Sequence, residues 1–210
     1  MEVIVSIATL LPDRAGRSPA SALYPSTAFE SALSDLIRKV FVGADGCGYQ
    51  VVAFTSPTPD KDLSLLCAFL GCKLGQMHGP VLVISAQDLL RKRTDMREIR
   101  EVDFAKVGDN PIWVVPRDRS GVPGELADEA TLSVTMTNLK RQFDFIVVDA
   151  GTTSAVCKAH GLLSCVDGFV LVTTEGRTEV QQISNLRKYL DKNGARAIGG
   201  IYIEASRNGR

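Results

Sequence analysis

The densest group of chemically useful side chains lies at residues 55–64, TSPTPDKDLS. Hydroxyls of Thr55, Ser56, Thr58 and Ser64 stand beside the carboxylates of Asp60 and Asp62, with the ammonium of Lys61 between them. Hydroxyls and an ammonium suit a phosphate or a hydrated cation, whereas two adjacent carboxylates repel a polyanion. Two further polar points follow apolar runs: Ser85 and Gln87 in VLVISAQD, and Asp149 in FIVVDAG. The remaining reactive side chains are scattered. His78 and His160 have no metal-ligand spacing, and neither do Cys47, Cys67, Cys72, Cys157 and Cys165, which read as small buried hydrophobes. Tyr24, Tyr49, Tyr189 and Tyr202 are isolated and read as packing residues. There is no Gly-x-Ser-x-Gly and no dinucleotide fingerprint.

The elements that must position these residues follow from periodicity. Residues 50–55, 80–85, 111–116, 143–149, 168–173 and 197–203 are short apolar runs, as expected of strands buried on both faces. Helical spacing or polarity fills the intervals at about 28–42, 61–74, 127–141, 155–164 and 178–193. The charged stretch 88–101 reads as a solvated helix or ordered loop, and Arg91, Lys92 and Arg93 in it are diluted by acids. Such alternation predicts a three-layer α/β fold, a mostly parallel sheet with helices on both faces. Residues 1–25, with four prolines or glycines at 12, 16, 19 and 25, read as an arm carrying a short strand near 2–8. Residues 26–206 form the domain and 207–210 a tail. In parallel sheets ligands bind beyond the strands' carboxyl ends, so the loops to inspect begin at Thr55, Ser85, Asp149 and Thr173.

Read in order, these loops resemble a known family. VVAFTSPTPDKDLSLLCAFLG resembles the phosphate-loop segment of the bacterial tyrosine kinases, the capsular and exopolysaccharide family of P-loop ATPases related to the MinD/ParA group. VLVISAQDLLR resembles that family's second nucleotide motif, FDFIVVDAG its third, and LLSCVDGFVLVTTEGRT and NLRKYLDKNGARAIGGIYIEA its final strands and helix. The likeness covers about residues 26–205, and its last sixty residues are its more specific part. It implies a P-loop NTPase-like fold.

The resemblance also implies what is missing. A working loop uses glycines so that its backbone N–H groups can surround phosphate, a Lys for the β and γ phosphates, and a Ser or Thr for magnesium. On that pattern Thr55, Ser56, Pro59 and Ser64 are retained; Asp60 and Asp62 replace the glycines, and Leu63 replaces the Lys. Lys61 is the candidate surrogate, or else an exposed lysine paired with its neighbouring aspartates. Ser85 and Gln87 replace the second motif's aspartates and bring no charge for a hard cation. Asp149 alone is kept, as a candidate base or metal ligand or as a cap for the next helix. The family's Glu-x-x-Arg-x-x-Arg helix has Glu30 followed by Leu33 and Leu36, and its C-terminal tyrosine cluster is absent.

The 210 residues are 45% hydrophobic and 23% charged, as in a soluble domain, with acids and bases balanced at 24 each. Balanced charge gives no footprint for nucleic acid, and no apolar run approaches a bilayer span, so neither nucleic-acid binding nor direct membrane insertion is expected. The expectation is a cytoplasmic protein, recruited to the inner membrane by a partner. It would bind neither ATP nor magnesium, would have no confident catalytic residue or metal site, and would act as a pseudokinase regulating or scaffolding exopolysaccharide production. The partner would be a membrane polysaccharide co-polymerase or export protein, and self-association is compatible with this role. Two alternatives stand beside it: an atypical ATPase or tyrosine kinase using Lys61, and a MinD/ParA-like positioning adaptor, for which Thr58 stands in place of the signature Lys.

Overall fold

A computed structural model describes residues 3–8, 27–43, 48–59, 61–90, 105–107, 111–114 and 127–204. In chain order the strands are β1 (Val3–Ala8), β2 (Val51–Ser56), β3 (Val81–Ser85), β4 (Ala105–Lys106), β5 (Ile112–Val114), β6 (Phe145–Thr152), β7 (Gly168–Thr174) and β8 (Ala197–Glu204). The helices are α1 (Thr27–Ile37), α2 (Lys61–His78), α3 (Ala86–Leu90), α4 (Glu129–Gln142), α5 (Thr153–Lys158), α6 (His160–Cys165) and α7 (Val180–Lys192). A π-helical turn, Arg38–Val42, extends α1. The charged run at 91–93 lies outside the described residues.

The strands form one sheet in the order β1-β8-β7-β2-β6-β3-β5-β4. Every described pairing is parallel except β4 with β5. The chain leaves β2 towards β3 on one side, then returns from β6 to β7 on the other, which makes the carboxyl end of β2 a topological switch point. The expected arm, residues 1–25, contributes β1 to the sheet as an edge strand paired with β8.

Two hydrophobic layers sandwich the sheet. On one face α1 and α2 bury Phe29, Leu33, Leu36, Leu66, Leu70 and Leu74 against Val52, Phe54 and Val172. On the other, α3 to α7 bury Leu89, Leu132, Met136, Leu162, Leu186 and Leu190 against Ala53, Leu82, Val148 and Phe169. Each such aliphatic or aromatic side chain contributes about 1.5–3 kcal/mol. The three-layer α/β architecture read from the strand and helix alternation is therefore present.

Local differences have local causes. Helix α2 runs past Leu74 to His78, although Gly75 looks like a stop signal. Gly75 is inside the helix because a Cβ there would come within 2.9 Å of Ile112 Cγ1, and at Gly71 within 2.2 Å of Val83 Cγ2. The two glycines let the helix lie close on the sheet. The true stop is Gly79, at φ 124°, followed by Pro80. The helix expected at 155–164 is broken in two at Ala159, whose N–H bonds to Val156. Strand β6 continues past Asp149 to Thr152 through a register shift against β2.

The start of β2 is fixed by one carboxylate. Asp167 Oδ2 accepts N–H bonds from Gln50 (2.9 Å) and Val51 (2.8 Å), and its Oδ1 accepts one from Lys140 Nζ at 2.9 Å. Asp167→Ala removes all three and is expected to cost about 2 kcal/mol, read as a lower denaturant midpoint at unchanged slope. Gly71→Ala should cost about 1–3 kcal/mol by overpacking, a loss that the compensating Val83→Ala recovers in part.

Candidate functional site

The candidate residues converge at the carboxyl ends of β2, β3 and β6. Strand β2 is buried at all six positions and lies between β6 and β7, so it delivers its exit, residues 57–59, to the middle of the sheet edge. Thr55 and Ser56 end that strand fully buried. Thr55 Oγ1 donates to the carbonyl of Gly151 at 2.9 Å, tying the end of β2 to β6. Pro59 lies in the loop and Lys61 opens α2, while Asp60 lies outside the described residues.

The residues that open α2 face different surroundings. Leu63, which the resemblance sets against the family's Lys, is 3% exposed and belongs to the core beneath α2. Asp62 is also buried, with Arg177 Nη1 3.8 Å from its Oδ2. Ser64 is exposed and donates to Asp149 Oδ2 at 2.5 Å. The other carboxylate oxygen of Asp149 accepts the N–H of Gly151 at 3.0 Å. Gly151 has φ 68°, a conformation that suits glycine and folds its N–H back onto the carboxylate two residues earlier.

Asp149 therefore does not cap the following helix. Thr152 does, accepting from the N–H of Ala155 at 3.4 Å. Ser85 is the direct register partner of Asp149 on the neighbouring strand. Its hydroxyl turns to Asp88, donating to Oδ2 at 2.6 Å and accepting the Asp88 N–H at 3.1 Å. Gln87 is exposed on the short α3. Ser64, Asp149 and Ser85 thus form one neighbourhood. A hydroxyl and a carboxylate bonded to each other can shuttle or hold a proton, but they bring one negative charge, where a hard divalent cation favours several oxygen ligands. Among the described residues no group of three or more His, Cys, Asp or Glu side chains is arranged to hold a metal.

Two residues at this edge escaped the sequence reading. Asp88 sits three residues after Ser85, the spacing of a serine-capped turn. Arg177 arrives from the turn after β7, at an interval of 115 residues from Asp62, so no local pattern could have paired them. Beneath the site, burial and the nearby Asp149 charge push the Cys67 thiol well above its ordinary range. A hollow of about 250 Å³ lies elsewhere, between α7 and strands β7 and β8, lined by Leu171, Ile183, Arg187 and Tyr202. None of the candidate residues lines it.

No family model matches the chain. It is 29% identical over 79 residues to tyrosine-protein kinase CpsD of Streptococcus agalactiae, a match spanning 38% of this chain and 34% of that protein. The fold matches the kinase domain of Escherichia coli tyrosine kinase ETK with a TM-score of 0.69 at 15% identity, covering 98% of this chain and 91% of that one. The chain is thus similar, in part of its sequence and in its fold, to bacterial tyrosine kinases. A ParA family ATPase from Chlorobium tepidum shares the fold more distantly, with a TM-score of 0.60 at 14% identity over 76% of this chain and 75% of that one. The kinase-like, P-loop NTPase fold read from the ordered motifs is thus present. The matched segment is about a third of the curated kinase's length. Where the resemblance put ring-forming arginines in the kinases, this chain has Leu33 and Leu36, both buried under the sheet.

Ser64→Ala should leave the fold intact and cost about 1 kcal/mol, the hydrogen bond to Asp149 being lost at an exposed edge. In native protein at pH 8, thiol labelling should reach Cys67 last, after Cys72, Cys157 and Cys165, and only on unfolding. Labelling of Cys67 at the rate of an exposed thiol would contradict its burial.

Proposed function

We propose that this chain is a non-catalytic relative of the bacterial tyrosine kinases that regulates or scaffolds exopolysaccharide, or capsule, production and export. One observation carries the reading: Leu63 and Asp62 are both buried at the amino end of α2, one in the apolar core and one as an internal carboxylate. A triphosphate docking there meets a negative charge and no lysine at that step of the loop. The second motif points the same way, since Ser85 is committed to Asp88. ATP and magnesium are not cofactors in this reading.

The partner in this proposal is a membrane polysaccharide co-polymerase or export protein, which would hold the chain at the cytoplasmic face of the inner membrane. No described helix is long and apolar enough to cross a membrane, so attachment through a partner is the economical route. Self-association is compatible with the same role. The buried Leu33 and Leu36 argue against a ring built with arginines at those two positions.

A second reading rests on a different observation. Ser64 and Asp149 are still bonded, so an atypical ATPase or tyrosine kinase would have a hydroxyl and a carboxylate to work with, and Lys61 is the first residue of α2. The two readings separate in one set of measurements. The non-catalytic protein should show no phosphate release and no rise in melting temperature at millimolar Mg-ATP. A ligand at a hundred times its Kd would add about 2.7 kcal/mol of stability, which is easily seen. Turnover that disappears in Lys61→Ala and Asp149→Asn would replace the first reading with the second. Co-purification with a polysaccharide co-polymerase encoded beside this gene is the expected partner result.

A further inference from the structure

Asp62 is the second residue of an eighteen-residue helix, and its side chain is only 8% exposed. A carboxylate withdrawn from water is kept only where charge and hydrogen bonds compensate it. Two sources of positive potential are present. The amino end of α2 has N–H groups without intrahelical partners and the positive end of the helix dipole. Arg177 brings its guanidinium to 3.8 Å, from a side chain that is otherwise 59% exposed. Both residues make further contacts as well.

The turn that carries Arg177 is built to return it to this place. Gly176 takes φ 71°. The carbonyl of Thr174 accepts the N–H groups of Arg177 at 3.1 Å and Thr178 at 3.2 Å, and Thr178 Oγ1 accepts the N–H of Thr174 at 3.3 Å. Strand β7 pairs with β2, so this turn and residues 57–59 leave neighbouring strands at the same edge. Ser56, the last residue of β2, has a buried hydroxyl with no hydrogen-bond partner among the described residues. A helix amino end and an arginine are features that favour a phosphate or other oxyanion. The anion found there is the protein's own.

We propose that Asp62 is the internal ligand of this site: its carboxylate takes the place of a bound phosphate at the amino end of α2, and Arg177 closes over it. The loop after β2 and the turn after β7 are thereby held together without a nucleotide. The proposal deepens the non-catalytic reading and rests on it, because it says what fills the site that the altered loop no longer offers.

The full chain tests it as wild type, Asp62→Asn, Asp62→Gly, Arg177→Ala and the Asp62→Asn/Arg177→Ala pair, with inorganic pyrophosphate as the probe. Arg177→Ala should lower the melting temperature of the wild type by about 2–4 °C and leave Asp62→Asn unchanged. Millimolar pyrophosphate should not move the wild type but should raise the melting temperature of Asp62→Gly, or of Asp62→Asn if the glycine variant does not fold. An Arg177→Ala loss of equal size in both backgrounds would overturn the pairing. A pyrophosphate response as large in the wild type as in the Asp62 variants, or none in any of them, would overturn the occupancy. ATP turnover by the wild type would instead remove the non-catalytic reading and leave the measured Asp62–Arg177 coupling standing, so the two failures are distinct.

Discussion

Strand β2 is hydrogen-bonded on both sides, to β6 and to β7, and the whole carboxyl edge of the sheet is arranged by where it ends. All six of its residues are buried, so a shift of one residue would exchange the side chains facing the two hydrophobic layers. Both ends are also tied. Asp167 takes the first N–H groups of the strand, and Thr55 bonds to the carbonyl of Gly151 at the other end. With β2 fixed, residues 57–59, the start of α2 and the turn after β7 have little freedom to be anywhere else.

The chemistry of that edge is governed by charge placed in a poorly solvated position. In a nucleotide-binding loop, backbone N–H groups and a lysine face a phosphate. Here Leu63, which the resemblance sets against that lysine, is a core residue, and the buried carboxylate of Asp62 stands beside it. Burying Leu63 adds apolar contact under α2, while burying Asp62 requires compensation, which the helix end and Arg177 can supply. The two substitutions act together, because a lysine in place of Leu63 would have to leave the apolar layer that now holds α2 on the sheet. What remains at Asp149 is a carboxylate occupied by Ser64 and by its own backbone at Gly151.

Close packing is what aims α2 at the site. Gly71 and Gly75 bring the helix onto Val83, Ile112 and Pro111, and a T-shaped contact between Phe29 and Phe69 sets α1 against it. The ion pair of Lys73 with Glu30 adds a polar tie between the same two helices at 2.6 Å. Glu30 is also the residue retained from the kinase helix pattern, and in this chain it serves that local pairing.

The alternation of apolar runs with helical patterns determined the fold class from the sequence alone, because a strand buried on both faces must be apolar throughout. The ordered loops determined the family likeness, and the residue types within them put Asp60, Asp62 and Leu63 where the resemblance expects two glycines and a lysine. Those are local properties: they depend on which residues occupy consecutive positions. Only the tertiary structure decided that Leu63 packs inward, that Ser64 rather than a helix end takes Asp149, and that Ser85 faces Asp149 across the β3–β6 ladder while bonding to Asp88. It also decided that Arg177 meets Asp62. Parallel strands bring together loops that lie far apart in the chain, and the partner of a buried charge is set by that crossing. The sequence could therefore say which charges stand in the loop at 55–64, and the fold alone could say which residue answers Asp62.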